Sequence, residues 1–283
     1  MTVCVLPNPR KPDALHVARR AAELLLGYGA RTVFCIREDR REPAMEGVEY
    51  LDPAAAFSQA DVLLTVGGDG TILHAAKESL AWQKPILGVN LGRTGFLATC
   101  EQSQLPEKLL RLVEGRYGLD ERNLLTAEGE SPDGAWRQTA LNDIVIYRKD
   151  PLHTIDCSVW CDDSLVNRCR GDGVIVATPT GSTAYSLSAG GPILDAQVQG
   201  FVVTPICAHS LHSPPMVFSA NRQITVQVDP GAQEACVSSD GTHQCELLPG
   251  HKVRVRQSDR CIRLVTFNEA DQFQAIDRKL KGR

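Results

Sequence analysis

Short apolar runs alternate with segments of helical periodicity in the first third of the chain. Apolar runs predict buried strands at Thr2–Leu6, Arg31–Ile36, Asp61–Val66 and Pro85–Asn90. Apolar residues at helical spacing predict helices at Asp13–Leu26, Thr71–Leu80 and Leu105–Glu114. Because apolar strands that alternate with helices form parallel sheets covered on both faces, this region predicts an α/β domain with a doubly wound parallel sheet. Ligands of such sheets bind at the carboxyl ends of the strands.

From about residue 117 the apolar positions recur with a period of two. Ile224, Val226 and Val228 alternate with polar residues, and turns such as Asp240-Gly241 carry glycine or proline. This pattern predicts an antiparallel β-rich region, with one short helix after Gly181. The sequence of residues 270–281 again predicts a helix. We therefore expect an α/β domain over 1–116, a β-rich domain over 117–267, and a C-terminal helix over 268–283 that returns to the first domain.

Composition narrows the class of protein. The chain has 283 residues, 43% of them hydrophobic and 23% charged, with a net charge of −4, which is typical of a soluble globular protein without a nucleic-acid surface. No apolar run reaches the roughly 20 residues that span a bilayer, and the N-terminus is typical of a first strand, not of a signal peptide.

Ten cysteines give no Cys-x-x-Cys pair. Cys157 and Cys161 share one strand face, but no histidine or cysteine cluster completes a metal site. Most cysteines lie in apolar runs, and we expect them to be reduced core residues of a cytoplasmic protein: Cys4, Cys35, Cys207 and Cys261.

The hexapeptide Val66–Thr71, V-G-G-D-G-T, holds an acid, Asp69, on a glycine-rich turn between a strand and a helix. Glycines let the backbone approach a ligand closely, and the helix N-terminus offers N–H groups to phosphate. A carboxylate beside a phosphate is electrostatically unfavourable unless it orients a nucleophile or meets a cation. The turn therefore indicates phosphoryl transfer. The alternative is that the turn is only a tight structural connection between strand and helix. No G-x-x-x-x-G-K-[ST] loop occurs and Leu73 breaks G-x-G-x-x-G, so other groups and a metal must hold a phosphate donor.

Four further motifs carry candidate binding groups. Asn90–Leu97 has two glycines three residues apart after a strand, and a turn into the second domain is its alternative. Asn142-Asp143 stand together in an apolar strand; the pair suits base and ribose recognition, and a plain strand end is its alternative. The block Gly171–Pro192 is dense in Gly, Ser and Thr, and its Tyr185 offers a flat face for a base. His209 follows a buried strand and is more typical of a structural than of a catalytic histidine.

Together these motifs resemble those of the NAD kinase family. They follow the family order: G-G-D-G-T, N-L-G-R-x-G-F-L, L-N-[E/D], D-G-x-I-x-x-T-P-T-G-S-T-A-Y-S-L-S-A-G-G-P and P-x-x-x-H-S-L. The resemblance covers residues 62–242; T-P-T-G-S-T-A-Y is its most specific part, whereas G-G-D-G is shared with lipid kinases and phosphofructokinases. It implies ATP-dependent phosphorylation of the adenosine ribose 2′-hydroxyl of NAD, a Rossmann-like α/β domain plus a β-rich domain (α+β overall), and a cytoplasmic homodimer or homotetramer.

By matching positions, the resemblance also implies roles for individual residues. Asp69 is expected to accept the proton of the ribose hydroxyl, and His74 to lie near the phosphates. The phosphate turn is expected to comprise Gly67, Gly68 and Thr71, and Gly70, which lines the same turn, is expected to bind NAD. The dinucleotide is expected to contact Asn142, Asp143, His153, Arg170, Asp172 and Cys207. The adenine–ribose pocket is expected to be lined by Thr183, Ala184, Tyr185, Ser186, Leu187 and Ser188. A divalent ion, Mg²⁺ with ATP, is the expected cofactor, with no metal site from the protein alone.

Three positions depart from the family pattern. Asp143 stands where the family usually has Glu, Ala208 where it has Pro, and Thr242 where a Gln often follows the glycine. Two other functions remain as alternatives: a lipid or sugar kinase that shares G-G-D-G, and a dinucleotide sensor that binds NAD or NADP without turnover.

Overall fold

A computed structural model describes residues 1–35, 44–92, 95–210, 212–268 and 276–277. The chain divides into two compact units, one formed by Met1–Glu121 with the segment that starts at Ile262, the other by Arg122–Cys261. The predicted C-terminal helix over 270–281 lies almost wholly outside the described residues. Within the described part of the chain, no helix is long and apolar enough to cross a membrane.

The first unit is built from strands and helices in alternation. Its elements are β1 (Thr2–Pro7), α1 (Pro12–Gly27), β2 (Arg31–Cys35), β3 (Val48–Leu51), α2 (Pro53–Gln59), β4 (Val62–Gly67), α3 (Asp69–Ser79), β5 (Ile86–Asn90), β6 (Cys100–Glu101) and α4 (Leu105–Val113). The strands lie in the order β3-β2-β1-β4-β5, every neighbouring pair is parallel, and Leu264 pairs in parallel with Ile86 at the far side of β5.

Apolar residues cover both faces of this sheet. All six residues of β4 are buried, which explains its uninterrupted apolar run. Val3 and Val5 pack with α1 and α4 on one face. On the opposite face α3 reaches β5 so closely that a Cβ on Gly88 would lie 2.4 Å from Ile72 Cδ1. The predicted doubly wound α/β fold is confirmed.

The sequence patterns missed β3 and α2. β3 has no fully buried residue and α2 has seven residues, so neither leaves a clear apolar periodicity. Local chemistry nevertheless defines α2, since Asp52 caps it by accepting a hydrogen bond from the Ala55 N–H (3.1 Å) and Pro53 occupies its first turn.

The second unit is a sandwich of two mainly antiparallel sheets. The elements that follow α4 are β7 (Gly118–Ser131), β8 (Gly134–Ala140), β9 (Asp143–Arg148), β10 (Ile155–Cys161), β11 (Ser164–Gly171), β12 (Gly173–Ala177), α5 (Tyr185–Ser188), β13 (Gly200–Ile206), β14 (Met216–Ser219), β15 (Gln223–Val228), β16 (Ala235–Ser239), β17 (Thr242–Leu247) and β18 (Lys252–Thr266). One sheet has the order β14-β13-β12-β9-β16-β17; the other contains β11-β10-β15-β18, with β7 and β8 beside β18.

The core of this unit lies between the sheets. Ile144 and Val176 of the first sheet belong to one apolar cluster with Val159, Val226 and Val255 of the second. The period-two alternation in the sequence therefore marks the inward faces of both sheets. The predicted β-rich fold is confirmed.

The cysteines are less uniformly buried than expected. All ten are free thiols. Cys4 is buried, Cys35 and Cys261 are partly buried, and Cys207 is exposed. The prediction of a core position is therefore wrong for Cys207, because it stands just beyond the end of β13 and turns out of the sheet with a φ of +46°. Cys157 and Cys161 belong to no cluster that could hold a metal ion among the described residues.

Candidate active site

The turn Gly67–Thr71 joins β4 to α3 within one tight loop. Gly68 precedes the helix in an extended conformation, and its carbonyl accepts the Thr71 N–H (2.9 Å). A Cβ on Gly67 would lie 2.1 Å from Thr71 Oγ1, so only glycine fits there. The N–H groups of Asp69 and Gly70 have no acceptor one turn earlier in the helix and remain available to an anion.

The Asp69 side chain is fixed by the second glycine motif. Its two carboxylate oxygens accept hydrogen bonds from the backbone N–H groups of Phe96 (2.8 Å) and Leu97 (3.1 Å). A Cβ on Gly95 would lie 2.0 Å from Asp69 Oδ1, so the loop approaches the carboxylate only because residue 95 is glycine. The structure thus brings G-G-D-G-T and the G-F-L of the second motif together. Each oxygen keeps a free lone pair, and the partly exposed carboxylate can still accept a proton.

Two residues that the sequence analysis did not select contact the same turn. Asn8 Nδ2 donates to Thr71 Oγ1 (2.8 Å), and Lys11 Nζ donates to the Gly67 carbonyl oxygen (2.9 Å). Both follow β1, which lies beside β4 in the sheet. Their position after a strand end next to the strand of the main motif was the available signal.

His74 lies one turn further along α3. It is exposed, and its Nε2 lies 3.4 Å from a carboxylate oxygen of Glu78, four residues on. The ring therefore lies on the outer surface of the helix.

In the second unit Asp240 organises the Asn142-Asp143 pair. Its carboxylate accepts hydrogen bonds from the backbone N–H groups of Leu141 (2.9 Å), Asn142 (2.7 Å) and Asp143 (3.2 Å). Asp240 has a φ of +49° in the turn before Gly241, a conformation that aspartate tolerates. The sequence analysis placed this residue in a turn and assigned it no role.

Asp143 is almost fully buried, with 5% of its surface exposed, whereas Asn142 is partly exposed. Burial, with a smaller contribution from the negative charge of Asp240, raises the pKa of the Asp143 carboxyl from 3.8 to about 7. Its side chain is therefore protonated in a large fraction of molecules at neutral pH and can then donate a hydrogen bond.

The Gly- and Thr-rich block after β12 packs against the same segment. Thr178 Oγ1 donates to the Leu141 carbonyl oxygen (2.6 Å) and accepts the Gly181 N–H (2.9 Å). A Cβ on Gly181 would lie 2.0 Å from the Asn142 carbonyl oxygen. Two motifs whose contacting residues, Thr178 and Leu141, are 37 positions apart in the sequence therefore form one local structure.

Several hydroxyls of this block bond inside the protein. Ser182 Oγ donates to the Pro179 carbonyl oxygen (2.6 Å), and the buried Ser186 Oγ lies 2.8 Å from Thr204 Oγ1. Thr183 Oγ1 donates to the Thr180 carbonyl oxygen (3.0 Å). The surface of the block comes instead from Tyr185, which is 45% exposed, from the exposed Ser188, and from the partly exposed Ala184 and Leu187.

The remaining predicted site residues carry charges near the ends of β9 to β12. Arg148 Nε lies 3.2 Å from Asp172 Oδ1, Arg170 Nε lies 3.7 Å from Asp156 Oδ1, and His153 Nδ1 lies 2.7 Å from Asp150 Oδ2. The exposed His209 donates its backbone N–H to the Arg170 carbonyl oxygen (2.8 Å), so it is linked to this region through the backbone.

The α/β unit fixes an acid on a glycine-rich turn at a helix N-terminus, and the β-sandwich of the same chain carries an amide beside a buried acid. These features define a phosphotransferase of the kinase class. Models of the ATP-NAD kinase N-terminal and C-terminal domains match residues 3–117 and 141–267. An NAD kinase of Moorella thermoacetica is 38% identical over 277 residues, which cover 98% of this chain and 88% of that protein. An NAD kinase of Symbiobacterium thermophilum is also 38% identical, over 97% of both chains.

Solved structures agree with these matches. A yeast NADH kinase complexed with NADH superposes with a TM-score of 0.88 at 27% identity, covering 99% of this chain and 87% of that chain. An NAD kinase from Archaeoglobus fulgidus in complex with ATP gives a TM-score of 0.75 at 26% identity, covering 98% of both. The chain belongs to the ATP-NAD kinase family, and its activity is that of an NAD kinase.

Proposed function

We propose that the chain transfers the γ-phosphoryl group of ATP to the 2′-hydroxyl of the adenosine ribose of NAD, giving NADP and ADP. The bond between the ribose O2′ and the γ-phosphorus forms, and the bond from that phosphorus to the β,γ-bridging oxygen breaks. Asp69 accepts the hydroxyl proton. The observation that carries this proposal is the Asp69 carboxylate, which two backbone N–H groups hold beside a helix N-terminus that suits phosphate.

The second unit provides the groups proposed to bind NAD. Asn142 and Asp143 offer amide and carboxyl groups to the dinucleotide, and the exposed ring of Tyr185 offers a face to a base. Arg170, Asp172 and His153 are proposed contacts because they match family positions, as does Cys207. Support comes from the similar proteins solved with NADH and with ATP.

The metal is proposed to arrive with the nucleotide. No group of His, Cys, Asp and Glu within the described ranges could hold a metal ion, so the donor fits best as Mg²⁺–ATP, with ligands from its phosphates. When bound, the ion neutralises charge on the phosphate oxygens. A homodimer or homotetramer in the cytoplasm is likewise a proposal, which rests on the resemblance.

An assay of product identity tests the proposal. The chain is incubated with ATP, Mg²⁺ and NAD, and NADP is read with an NADP-specific dehydrogenase. Phosphorus NMR of the product then distinguishes a 2′- from a 3′-phosphate. We expect NADP with phosphate at the 2′ position. Binding of NAD without NADP formation would favour the dinucleotide sensor, and a 3′-phosphate would contradict the assigned acceptor.

A further inference from the structure

Lys11 places a positive charge directly on the phosphate turn. Its ammonium donates to the Gly67 carbonyl oxygen (2.9 Å) and would lie 3.3 Å from a Cβ on Gly68, the residue that precedes α3. The side chain reaches this turn from the loop that follows β1, 56 residues earlier in the sequence.

The exposed ammonium group of Lys11 lies beside a positive helix end, a position that a bound anion would stabilise. The N-terminus of α3 is the positive end of the helix dipole, and an ammonium group beside it is repelled. Among the described residues no carboxylate forms an ion pair with Lys11; the nearest acid of the turn, Asp69, directs its oxygens to Phe96 and Leu97. Two positive features placed together, with no pairing carboxylate, are typical of a site for phosphate.

The loop that carries Lys11 is fixed in place. Asn8 continues the pairing of β1 with β4 by donating its backbone N–H to the Val66 carbonyl oxygen (2.9 Å), and its side chain bonds Thr71. Asn8 also accepts the Arg10 N–H on Oδ1 (2.9 Å) and the Lys11 N–H on its carbonyl oxygen (3.2 Å). The backbone of Lys11 is thus held relative to the turn, and only one of the three ammonium donors is used by Gly67.

We propose that the Lys11 ammonium binds the phosphate chain of ATP on the turn Gly67–Thr71, in the role that a lysine plays in P-loop enzymes. The chain has no P-loop motif, so a lysine that contacts the phosphate donor must come from elsewhere in the protein. Lys11 meets that need from a neighbouring strand end. This inference rests on the proposed placement of phosphoryl transfer at the same turn.

Steady-state kinetics of Lys11→Met test the proposal. Loss of one charge-assisted phosphate contact is expected to raise KM for Mg²⁺–ATP on the order of tenfold or more, while KM for NAD stays within about twofold. Lys11→Arg, which keeps the charge, is expected to recover most of the ATP affinity. Lys77→Met is the matched control: it removes an exposed lysine from the last turn of α3, roughly 12 Å along the helix, and should leave both KM values unchanged.

Lys11→Gln separates the charge from the hydrogen bond to Gly67, because the neutral amide still donates. Circular dichroism and thermal melting show whether Lys11→Met folds. If it does not, calorimetric measurement of ADP binding to Lys11→Gln replaces the kinetics. We then expect weaker binding of ADP and unchanged binding of NAD. An unchanged KM for ATP, equal changes for ATP and NAD, or normal ADP affinity in Lys11→Gln would overturn the proposal. A wild-type chain that forms no NADP would instead overturn the proposed function.

Discussion

Asp69 belongs to the glycine-rich turn and Asp143 to the Asn142-Asp143 pair, and the surroundings of the two carboxyl groups differ. Asp69 is partly exposed and accepts two backbone hydrogen bonds. Asp143 is buried beside the negatively charged Asp240, which raises its pKa. The difference suits the tasks proposed for the two residues. Asp69 is proposed to accept a proton, and Asp143 is proposed to form a hydrogen bond to NAD through a carboxyl whose pKa is raised by burial.

Asp143 makes folding stability depend on pH. In the unfolded chain its carboxyl loses a proton near 3.8, whereas the folded chain retains it until about 7. Between these values the unfolded state binds fewer protons, so the stability contribution is complete below about pH 4 and is lost as pH rises through about 7. We expect the free energy of unfolding of the wild type, relative to Asp143→Asn, to fall across this window, as measured by urea denaturation at several pH values.

Asp163→Asn is the control for this prediction, since Asp163 is an exposed aspartate in the turn between β10 and β11. It should follow the wild-type curve at every pH. A difference between wild type and Asp143→Asn that stays flat, or grows with pH, would contradict the assigned burial effect.

Among single residues, the sequence predicted those that lie within a motif and missed those that contact the motif from distant parts of the chain. Asp69, Asn142 and Asp143 stand in recognisable local patterns. Asp240 bonds backbone groups 97 to 99 residues away. Lys11 lies 56 residues from Gly67. The sequence around Asp240 and Lys11 has no periodicity or spacing that indicates these contacts, because the contacts arise only when the strands pair in the folded sheets.

The loop that ends in Gly95–Leu97 is the element that sets the orientation of Asp69. Gly95→Ala would place a methyl group 2.0 Å from Asp69 Oδ1 if nothing moved, so the carboxylate or the loop must shift. A displacement of about 1 Å can cost on the order of 10²-fold in rate, and we expect a loss of that order in kcat with little change in KM for ATP. The measurement is steady-state NADP formation.

Gly92→Ala is the matched control in the same segment, because a Cβ there meets no atom of the described residues within 4 Å and its φ is not in the left-handed region. It should retain activity. Equal activity of both variants would show that the Gly95 approach does not position the acid.

The roles of the hydroxyl groups in the block Gly171–Pro192 were only partly predictable from the sequence. Its composition predicted donors for a ligand, yet Thr178, Ser182 and Ser186 use their hydroxyls to bond neighbouring backbone or side-chain oxygens. Composition counts donors but does not show which of them face inward. The close approach of Gly181 to Asn142 explains why glycine stands there, and that reason appears only in the folded structure.

The division into an α/β unit and a β-sandwich was predictable for the molecule as a whole, because the apolar pattern of most strands reports which of their residues are buried. The uniformly apolar β4 and the alternating β15 are clear examples. Strand order was not predictable in the second unit, since β9 pairs with β12 and β16 and these partners are distant in sequence. Family membership follows from similarity over 98% of the chain.

At the scale of the whole molecule, we expect catalysis to depend on a metal ion and folding to be independent of it. We expect EDTA to abolish NADP formation and excess Mg²⁺ to restore it, because the ion is proposed to enter with ATP. We also expect EDTA to leave the melting temperature of the nucleotide-free protein unchanged, since no potential metal cluster lies in the part of the chain that is described. A lower melting temperature in EDTA would reveal a structural metal and contradict this expectation.

The central claim is that this kinase uses Asp69 as the proton acceptor for the ribose hydroxyl. Single-turnover formation of NADP by Asp69→Asn, at saturating Mg²⁺–ATP and NAD, tests it most directly, with folding checked by thermal melting and binding of both substrates checked by calorimetry. We expect a rate on the order of 10²- to 10⁴-fold below that of the wild type, with folding and binding retained. A folded Asp69→Asn that forms NADP at the wild-type rate would contradict it.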